Sequence, residues 1–122
     1  MIASVLLVED DHDFATSLVI ALGLIDIDVV RAESAERAIE LFATEAQRFR
    51  LAICDIKLPG LDGISCLEKL RTLKPDLVGV VMTGFRDEAL FERARNAGAV
   101  DILLKPFKLS DFMALAKKYI ES

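Results

Sequence analysis

Short apolar runs alternate with longer amphipathic segments along the chain. The apolar runs are SVLLV, DVV, LAIC, VGVVM and VDILL, which consist mainly of Val, Ile and Leu. Uninterrupted apolar runs of this length are typical of parallel strands that are buried on both faces. The pattern therefore predicts five strands, each followed by a segment in which apolar residues recur at the spacing of a helix.

The segments between the runs carry apolar residues at helical spacing and predict five helices. We expect Ser34 and Ser110 to cap helix N-termini, and Gly98 to end the fourth helix in the left-handed conformation. The residues that mark the five helices are Phe14, Leu18, Ala21, Leu22 and Ile25; Ala35, Ala38, Ile39 and Phe42; Leu67, Leu70 and Leu73; Ala89, Leu90, Arg93, Ala94 and Ala97; and Leu109, Phe112, Leu115, Ala116 and Tyr119.

Strict alternation of five strands and five helices indicates an α/β fold, a parallel sheet with helices on both faces. In open sheets of this kind, ligands bind beyond the carboxyl ends of the strands. The residues that follow each predicted strand are therefore the first place to look for chemistry.

Composition narrows the class of protein. A chain of 122 residues, 53% hydrophobic and 29% charged, is expected to form one globular domain over residues 1–122. A net charge of −5 argues against direct binding of nucleic acid or anionic membranes. The sequence shows no membrane-spanning stretch and no signal-peptide pattern, so we expect a cytoplasmic protein. Cys54 and Cys66 lie in apolar contexts and are expected to be buried free thiols.

Polar residues follow four of the five predicted strands. Glu9 and Asp10 follow the first strand, Asp55 the third, Thr83 the fourth and Lys105 the fifth. Brought to one edge of the sheet, they would place three carboxylates, a hydroxyl and an ammonium in one crevice. Such a sparse set of oxygen ligands suits Mg²⁺, which retains several of its waters.

Each of these residues also has a simpler explanation. Asp11 and Asp13 are better explained by the dipole at the start of the first helix than by metal binding. His12 is expected to face solvent, and Asp55 and Thr83 each precede a plausible turn. Chance turns explain poorly why every polar group stands at a strand's carboxyl end.

Four motifs, VLLVEDD, CDIKLPGLDG, VVMTG and LLKPF, are similar in order and spacing to the receiver domain of two-component response regulators, including the chemotaxis regulators. The similarity extends over residues 3 to 120. It implies a flavodoxin-like (βα)5 three-layer sandwich with strand order 2-1-3-4-5. It also implies a cis peptide bond between Lys105 and Pro106.

The same resemblance implies roles for individual residues. Asp55 would be the phosphoacceptor, and Thr83 would contact the phosphoryl group. Glu9, Asp10 and Asp55 would hold Mg²⁺ together with the backbone carbonyl of Lys57. Lys105 would pair first with the acceptor carboxylate and then with phosphoryl oxygens.

The function that the resemblance implies is signalling by phosphorylation. A sensor histidine kinase or phosphotransfer protein would supply the phosphoryl group, and a downstream protein or effector domain would respond through changed contacts. The domain would promote its own phosphorylation and dephosphorylation without being a turnover enzyme on a separate substrate.

Three other classes of protein fit these residues less well. A flavodoxin would place a phosphate at EDDHD, which would repel it, and a Mg²⁺-dependent aspartyl phosphatase usually has a second acid where Lys57 stands. A docking module that needs no phosphorylation would not require the acids, the hydroxyl and the lysine.

Three positions bear on how this sequence differs from other receivers. Many receivers carry an aromatic residue where Ile102 stands, and a β-branched side chain is too short and stiff to swing in the same way. We therefore expect phosphorylation to change residues 83 to 91 more than the fifth strand. Lys57 and Phe85 lie at positions that flank the path of water, and the Phe85 ring is expected to lengthen the lifetime of the phosphoryl group.

Overall fold

A computed structural model describes residues 4–121 and contains the predicted alternation of strands and helices. The strands are β1 (Ser4–Val8), β2 (Asp28–Ala32), β3 (Phe49–Asp55), β4 (Val78–Thr83) and β5 (Ala99–Leu104). The helices are α1 (His12–Gly23), α2 (Ala35–Glu45), α3 (Gly63–Leu73), α4 (Glu88–Asn96) and α5 (Leu109–Glu121), and a 3-10 turn at Ala46–Arg48 joins α2 to β3. Residues 1–3 and 122 of the predicted domain lie outside the described part.

The strands form one parallel sheet in the order β2-β1-β3-β4-β5. Apolar residues of α1 and α5 pack on one face of the sheet, and those of α2, α3 and α4 pack on the other. The predicted strand order and three-layer architecture are therefore confirmed. Because the strands are parallel, all of their carboxyl ends lie at one edge of the sheet.

Side chains at the helix starts fix where α1, α2 and α3 begin. Asp11 caps α1 and accepts a hydrogen bond from the Phe14 N–H, and Ser34 caps α2 as predicted. The N-cap expected at Ser110 is wrong. Ser110 is the second residue of α5, because the carbonyl of Lys108 already accepts from the N–H groups of Asp111 and Phe112.

Two glycines are required by the backbone. Gly98 has a φ of +100° and ends α4, as the sequence predicts. Gly63, the first residue of α3, is needed for another reason. A Cβ at this position would lie 1.9 Å from the carbonyl oxygen of Asp55. The start of α3 therefore packs directly against the end of β3.

Two further expectations concern the core and the membrane. Cys54 and Cys66 are both buried and free, as predicted. The hydrogen bond with Cys66, together with burial, raises the pKa of the Cys54 thiol, which makes it a poor nucleophile. Among residues 4–121, every helix is too short or too polar to cross a membrane.

Candidate functional site

The predicted site residues meet in one crevice of about 630 Å³ at the carboxyl edge of the sheet. It is open to solvent along the loops that follow β1, β3 and β4. The predicted residues that line it are Glu9, Asp10, Asp55, Lys57, Thr83 and Lys105. The topology thus brings together side chains that lie up to 96 positions apart in the chain.

Asp55, the last residue of β3, is held through both of its carboxylate oxygens. Lys105 Nζ donates to Oδ2 at 2.8 Å, and the Lys57 N–H donates to Oδ1 at 3.2 Å. Only 6% of Asp55 is exposed, so its position is defined by these contacts and by the sheet. The structure therefore holds one nearly buried carboxylate beside an ammonium at a defined place in the crevice.

Glu9 lies beside Asp55 and is 1% exposed. Lys105 Nζ donates to Glu9 Oε1 at 3.3 Å, and the Asp11 N–H donates to Oε2 at 3.0 Å. Burial raises the pKa of Glu9 to about 7; the Asp11 N–H opposes this shift, the charge of Asp55 adds to it, and Lys105 opposes it. The second carboxylate of the crevice is therefore costly to ionise unless a cation joins it.

The carboxylates suit a hard divalent cation. Glu9, Asp10 and Asp55 each offer an oxygen, and these oxygens all lie within 4.8 Å of one another. Asp10 is exposed, which leaves room for the waters that Mg²⁺ retains. The chemistry of the donors fits Mg²⁺, and burial, the main cause of the raised pKa of Glu9, makes its negative charge unfavourable without a cation nearby. The carbonyl of Lys57 as a further ligand stays a prediction.

Lys105 is fixed at the end of β5 by polar and aromatic neighbours. Its N–H donates to the carbonyl of Thr83 at 2.8 Å, and its ammonium lies 4.7 Å from the centroid of the Phe14 ring. Burial lowers the pKa of Lys105, but the hydrogen bond and charge of Asp55 outweigh it and raise the pKa. Lys105 therefore stays positively charged. The predicted cis bond between Lys105 and Pro106 is confirmed.

Thr83 connects the crevice to the loop before α4. Its hydroxyl oxygen accepts a hydrogen bond from the Phe85 N–H at 3.1 Å, and the residue is 3% exposed. Because the oxygen accepts, the hydroxyl hydrogen can donate to a group in the crevice. Movement of this hydroxyl would break or rearrange its bond to the loop.

Two exposed side chains stand at the mouth of the crevice. The Lys57 ammonium lies 5.9 Å from the centroid of the Phe85 ring, which is 58% exposed. The two positions expected to flank the path of water therefore contact each other through a cation–π interaction. Their effect on the lifetime of a phosphoryl group stays a prediction.

Two arginines near the crevice were not anticipated from the sequence. Arg31 of β2 donates to the backbone carbonyls of Glu9 and Asp10. Arg93 of α4 donates to the carboxylate of Asp62 at 3.0 Å, which ties α4 to the N-cap of α3. In the sequence, Arg31 is distinguished only as a charged residue within an otherwise apolar part of β2. No neighbouring residue indicates the role of Arg93.

The remaining polar residues of the first loop agree with the simpler explanation. Asp11 is the N-cap of α1 and Asp13 lies in its first turn, where acidic residues favour the helix dipole. His12 is exposed, as expected, and its Nδ1 lies 3.5 Å from Arg31 Nη1. These residues support the loop, while Glu9 and Asp10 face the crevice.

Comparison with known proteins gives consistent matches over nearly the whole chain. The family profile described as "Response regulator receiver domain" matches residues 5–117. The chain is 37% identical over 119 residues to response regulator protein FleR of Pseudomonas aeruginosa, covering 98% of this chain and 25% of that protein. It is 32% identical to the C4-dicarboxylate transport transcriptional regulatory protein DctD of Rhizobium meliloti, covering 94% of this chain and 25% of that protein. The chain thus spans about a quarter of the length of these relatives.

Solved structures give the same fold. The receiver domain protein (CheY-like) from Methanospirillum hungatei JF-1 superposes with a TM-score of 0.92 at 28% identity, covering 99% of this chain and 95% of that chain. The beryllofluoride-activated receiver domain of DrrB superposes with a TM-score of 0.88 at 22% identity, covering 100% of both chains. At that lower identity the similarity concerns the fold alone.

Proposed function

The chain belongs to the response regulator receiver domain family, and from this membership we propose that it accepts a phosphoryl group on Asp55. The donor would be a sensor histidine kinase or a phosphotransfer protein. The observation that carries the proposal is the buried Asp55 carboxylate, 2.8 Å from Lys105 Nζ and beside two further carboxylates.

The transfer itself asks little covalent chemistry of the protein. An oxygen of Asp55 forms a bond to phosphorus while the bond from phosphorus to the donor nitrogen breaks. The donor imidazole leaves with that bonding pair. Positioning and charge neutralisation supply most of the catalysis in phosphoryl transfer. The contacts of Asp55 with Lys105 and the Lys57 N–H support such positioning.

Glu9, Asp10 and Asp55, with the carbonyl of Lys57, would hold Mg²⁺. When bound, Mg²⁺ neutralises charge on the acceptor carboxylate and on the oxygens of the transferred group. Lys105 is proposed to follow the same charge, moving its hydrogen bond from Asp55 to a phosphoryl oxygen. Its contact with the Phe14 ring keeps the ammonium close to the crevice in either arrangement.

Thr83 is proposed to report the change. Its hydroxyl would donate to a phosphoryl oxygen and move toward Asp55. The Phe85 N–H would then lose or change its bond to Thr83 Oγ1, so the loop before α4 would rearrange. The output would be altered contacts with a downstream protein or an effector domain, without a released small product. A cytoplasmic location is part of the same proposal, since it is consistent with the family.

The test is labelling by acetyl phosphate in the presence of Mg²⁺. The wild-type chain should take up one phosphoryl group, and Asp55→Asn should take up none, because an amide is a poor nucleophile and lacks the charge. Asp76→Asn is the matched control, since Asp76 is exposed and precedes the opposite end of β4. It should be labelled like the wild type.

The possible results separate the proposed function from its rivals. Continuous release of phosphate without a stable product would indicate a phosphatase. Absence of labelling in the wild type would indicate a docking module that needs no phosphorylation. Persistence of labelling in Asp55→Asn would place the acceptor elsewhere.

A further inference from the structure

Arg31 connects β2 to the loop that carries the acidic pair. Its side chain is half-buried, and it forms a fork: Nε donates to the carbonyl oxygen of Glu9 at 3.0 Å, and Nη2 donates to the carbonyl oxygen of Asp10 at 3.2 Å. These are consecutive residues, so one planar group holds two neighbouring peptide units. A guanidinium is suited to this because its donors have a fixed relative geometry.

These bonds lie just beyond the end of the β1–β2 ladder. The last registered pair of the ladder is Val8 with Ala32, and the Glu9 N–H still donates to the carbonyl of Ala32 at 3.0 Å. Past this point the loop leaves β2, and the two bonds from Arg31 replace the ladder. They therefore restrict the backbone at the two residues whose carboxylates line the crevice.

The guanidinium contacts the backbone of this loop. Among the ion pairs of residues 4–121, Arg31 is absent, whereas Lys105 pairs with both Glu9 and Asp55. Arg31 therefore does not occupy the carboxylate oxygens of Glu9 and Asp10. Arg31 also brings a positive charge close to a loop with four acids in five positions, which reduces the cost of their mutual repulsion.

We propose that Arg31 is a positioning residue for the Mg²⁺ site, because its guanidinium holds the Glu9 and Asp10 peptide units so that both carboxylates face the crevice. This inference rests on the proposed function, in which those residues hold Mg²⁺. Arg31 itself touches neither the metal nor the acceptor. Its contribution is to Mg²⁺ affinity, and transfer at saturating Mg²⁺ does not depend on it.

The experiment compares Arg31→Met, Arg31→Lys and Arg37→Met. Met keeps an unbranched apolar stem as far as the position of Nε but removes every donor, and Lys keeps the charge but cannot form the fork. Arg37 is the matched control because it is exposed on α2 and pairs with Glu40. Mg²⁺ alone is titrated by calorimetry, and labelling by acetyl phosphate is then measured over a range of Mg²⁺ concentrations.

Partners that orient metal ligands typically contribute about 10- to 100-fold to affinity. We therefore expect the Kd for Mg²⁺ to rise at least tenfold in Arg31→Met and by a smaller factor in Arg31→Lys. Arg37→Met should bind Mg²⁺ like the wild type. The labelling rate of Arg31→Met should return to the wild-type value once Mg²⁺ is saturating.

A second readout uses the metal-free protein. Amide exchange at Asp10 and Asp11 should accelerate in Arg31→Met, because the backbone of the loop loses its two bonds. A merely stabilising role would lower the melting temperature without changing the Mg²⁺ affinity of the folded protein, and that result would overturn the inference.

Arg31→Lys keeps the test decisive if Arg31→Met does not fold. A Kd in Arg31→Lys equal to that of the wild type would show that the fork is dispensable and would overturn the inference. Failure of the proposed function looks different, since the wild type would then bind Mg²⁺ normally but take up no label from acetyl phosphate.

Discussion

The two walls of the crevice are built differently. The acidic wall, residues 9–11, is fastened by the buried Glu9 side chain, by the Asp11 cap of α1 and by Arg31. The opposite wall, which we call the exposed wall, is residues 84–89, which comprise the loop after β4 and the first two residues of α4, and every one of these residues is exposed. Its bonds to neighbouring structure are the Phe85 N–H to Thr83 and, among the described contacts, the cap that Asp87 supplies to α4.

Because of this difference, the two walls are suited to different roles within one site. A metal site gains affinity when its ligands are held in place before the ion binds, and the contacts of the acidic wall hold its residues in this way. A signalling surface needs a segment of low local stability whose arrangement a ligand can change. In the proposed function the acidic wall binds and the exposed wall responds. Thr83 joins them, because it lies in the crevice and bonds to the loop.

The largest expected effect is that of pH on the binding of Mg²⁺ by the acidic wall. With the pKa of Glu9 raised to about 7 in the metal-free protein, Mg²⁺ must displace a proton at lower pH. The affinity for Mg²⁺ is therefore full above this pKa and falls below it, by about tenfold between pH 8 and pH 6 for one competing proton. Calorimetric titration with Mg²⁺ at several pH values measures this. Equal affinity at pH 6 and pH 8 would show that Glu9 ionises without cost.

Amide exchange with and without beryllofluoride, a phosphoryl mimic, tests the contrast between the walls directly. We expect the changes to be concentrated in residues 83 to 91 and to be smaller in β5. The reason is that Ile102, half-buried in β5, is too short and stiff for the swing of an aromatic ring. Changes centred on residues 100 to 104, or absent from α4, would contradict this prediction.

Phe85→Ala probes the mouth of the crevice with a smaller effect. The ring is expected to hinder the entry of water and to contact Lys57, so its removal should accelerate loss of the phosphoryl group. An exposed cation–π contact of about 0.5–1 kcal/mol corresponds to roughly two- to fivefold in rate. Dephosphorylation is followed after removal of acetyl phosphate, with Phe91→Ala as the control on α4. An unchanged rate in Phe85→Ala would mean that the ring is not a barrier.

Asp10→Asn should give the smallest effect, a modest gain in the stability of the metal-free protein. One charge is removed from three carboxylates whose oxygens lie within 4.8 Å. Since Asp10 is exposed, solvent screening limits the gain to about 1 kcal/mol or less. Thermal unfolding at pH 8 without metal measures it, and the same variant should bind Mg²⁺ more weakly. A lower melting temperature would contradict the idea that the acids are crowded.

Much of the fold and site followed from patterns that are local in the sequence. Apolar runs and helical periods depend on neighbouring residues, so the strands and the helices were predicted correctly. The strand order was implied by the family resemblance alone, and it is also confirmed. The rule that ligands bind beyond parallel strand ends then selected Glu9, Asp55 and Lys105, which the structure brings into contact.

What the sequence did not reveal depends on pairs of residues that meet only in three dimensions. Arg31 is 22 positions from Glu9, and Arg93 is 31 positions from Asp62. No period or motif relates the members of either pair. The error at Ser110 has a different cause. The backbone carbonyl of Lys108 accepts the N–H groups of Asp111 and Phe112, so the helix begins before Ser110 and needs no hydroxyl cap there.

Gly63 has a consequence for how tolerant this chain is of sequence change. Judged by helix propensity alone, alanine at the first residue of α3 would be an improvement of up to about 1 kcal/mol. The contact with the carbonyl of Asp55 reverses this, because any added carbon must push β3 or the helix aside. A substitution that looks conservative, at a position without a side chain of its own, would therefore displace the backbone of the proposed phosphoacceptor. In a library of variants, Gly63 should be as intolerant as the acidic residues.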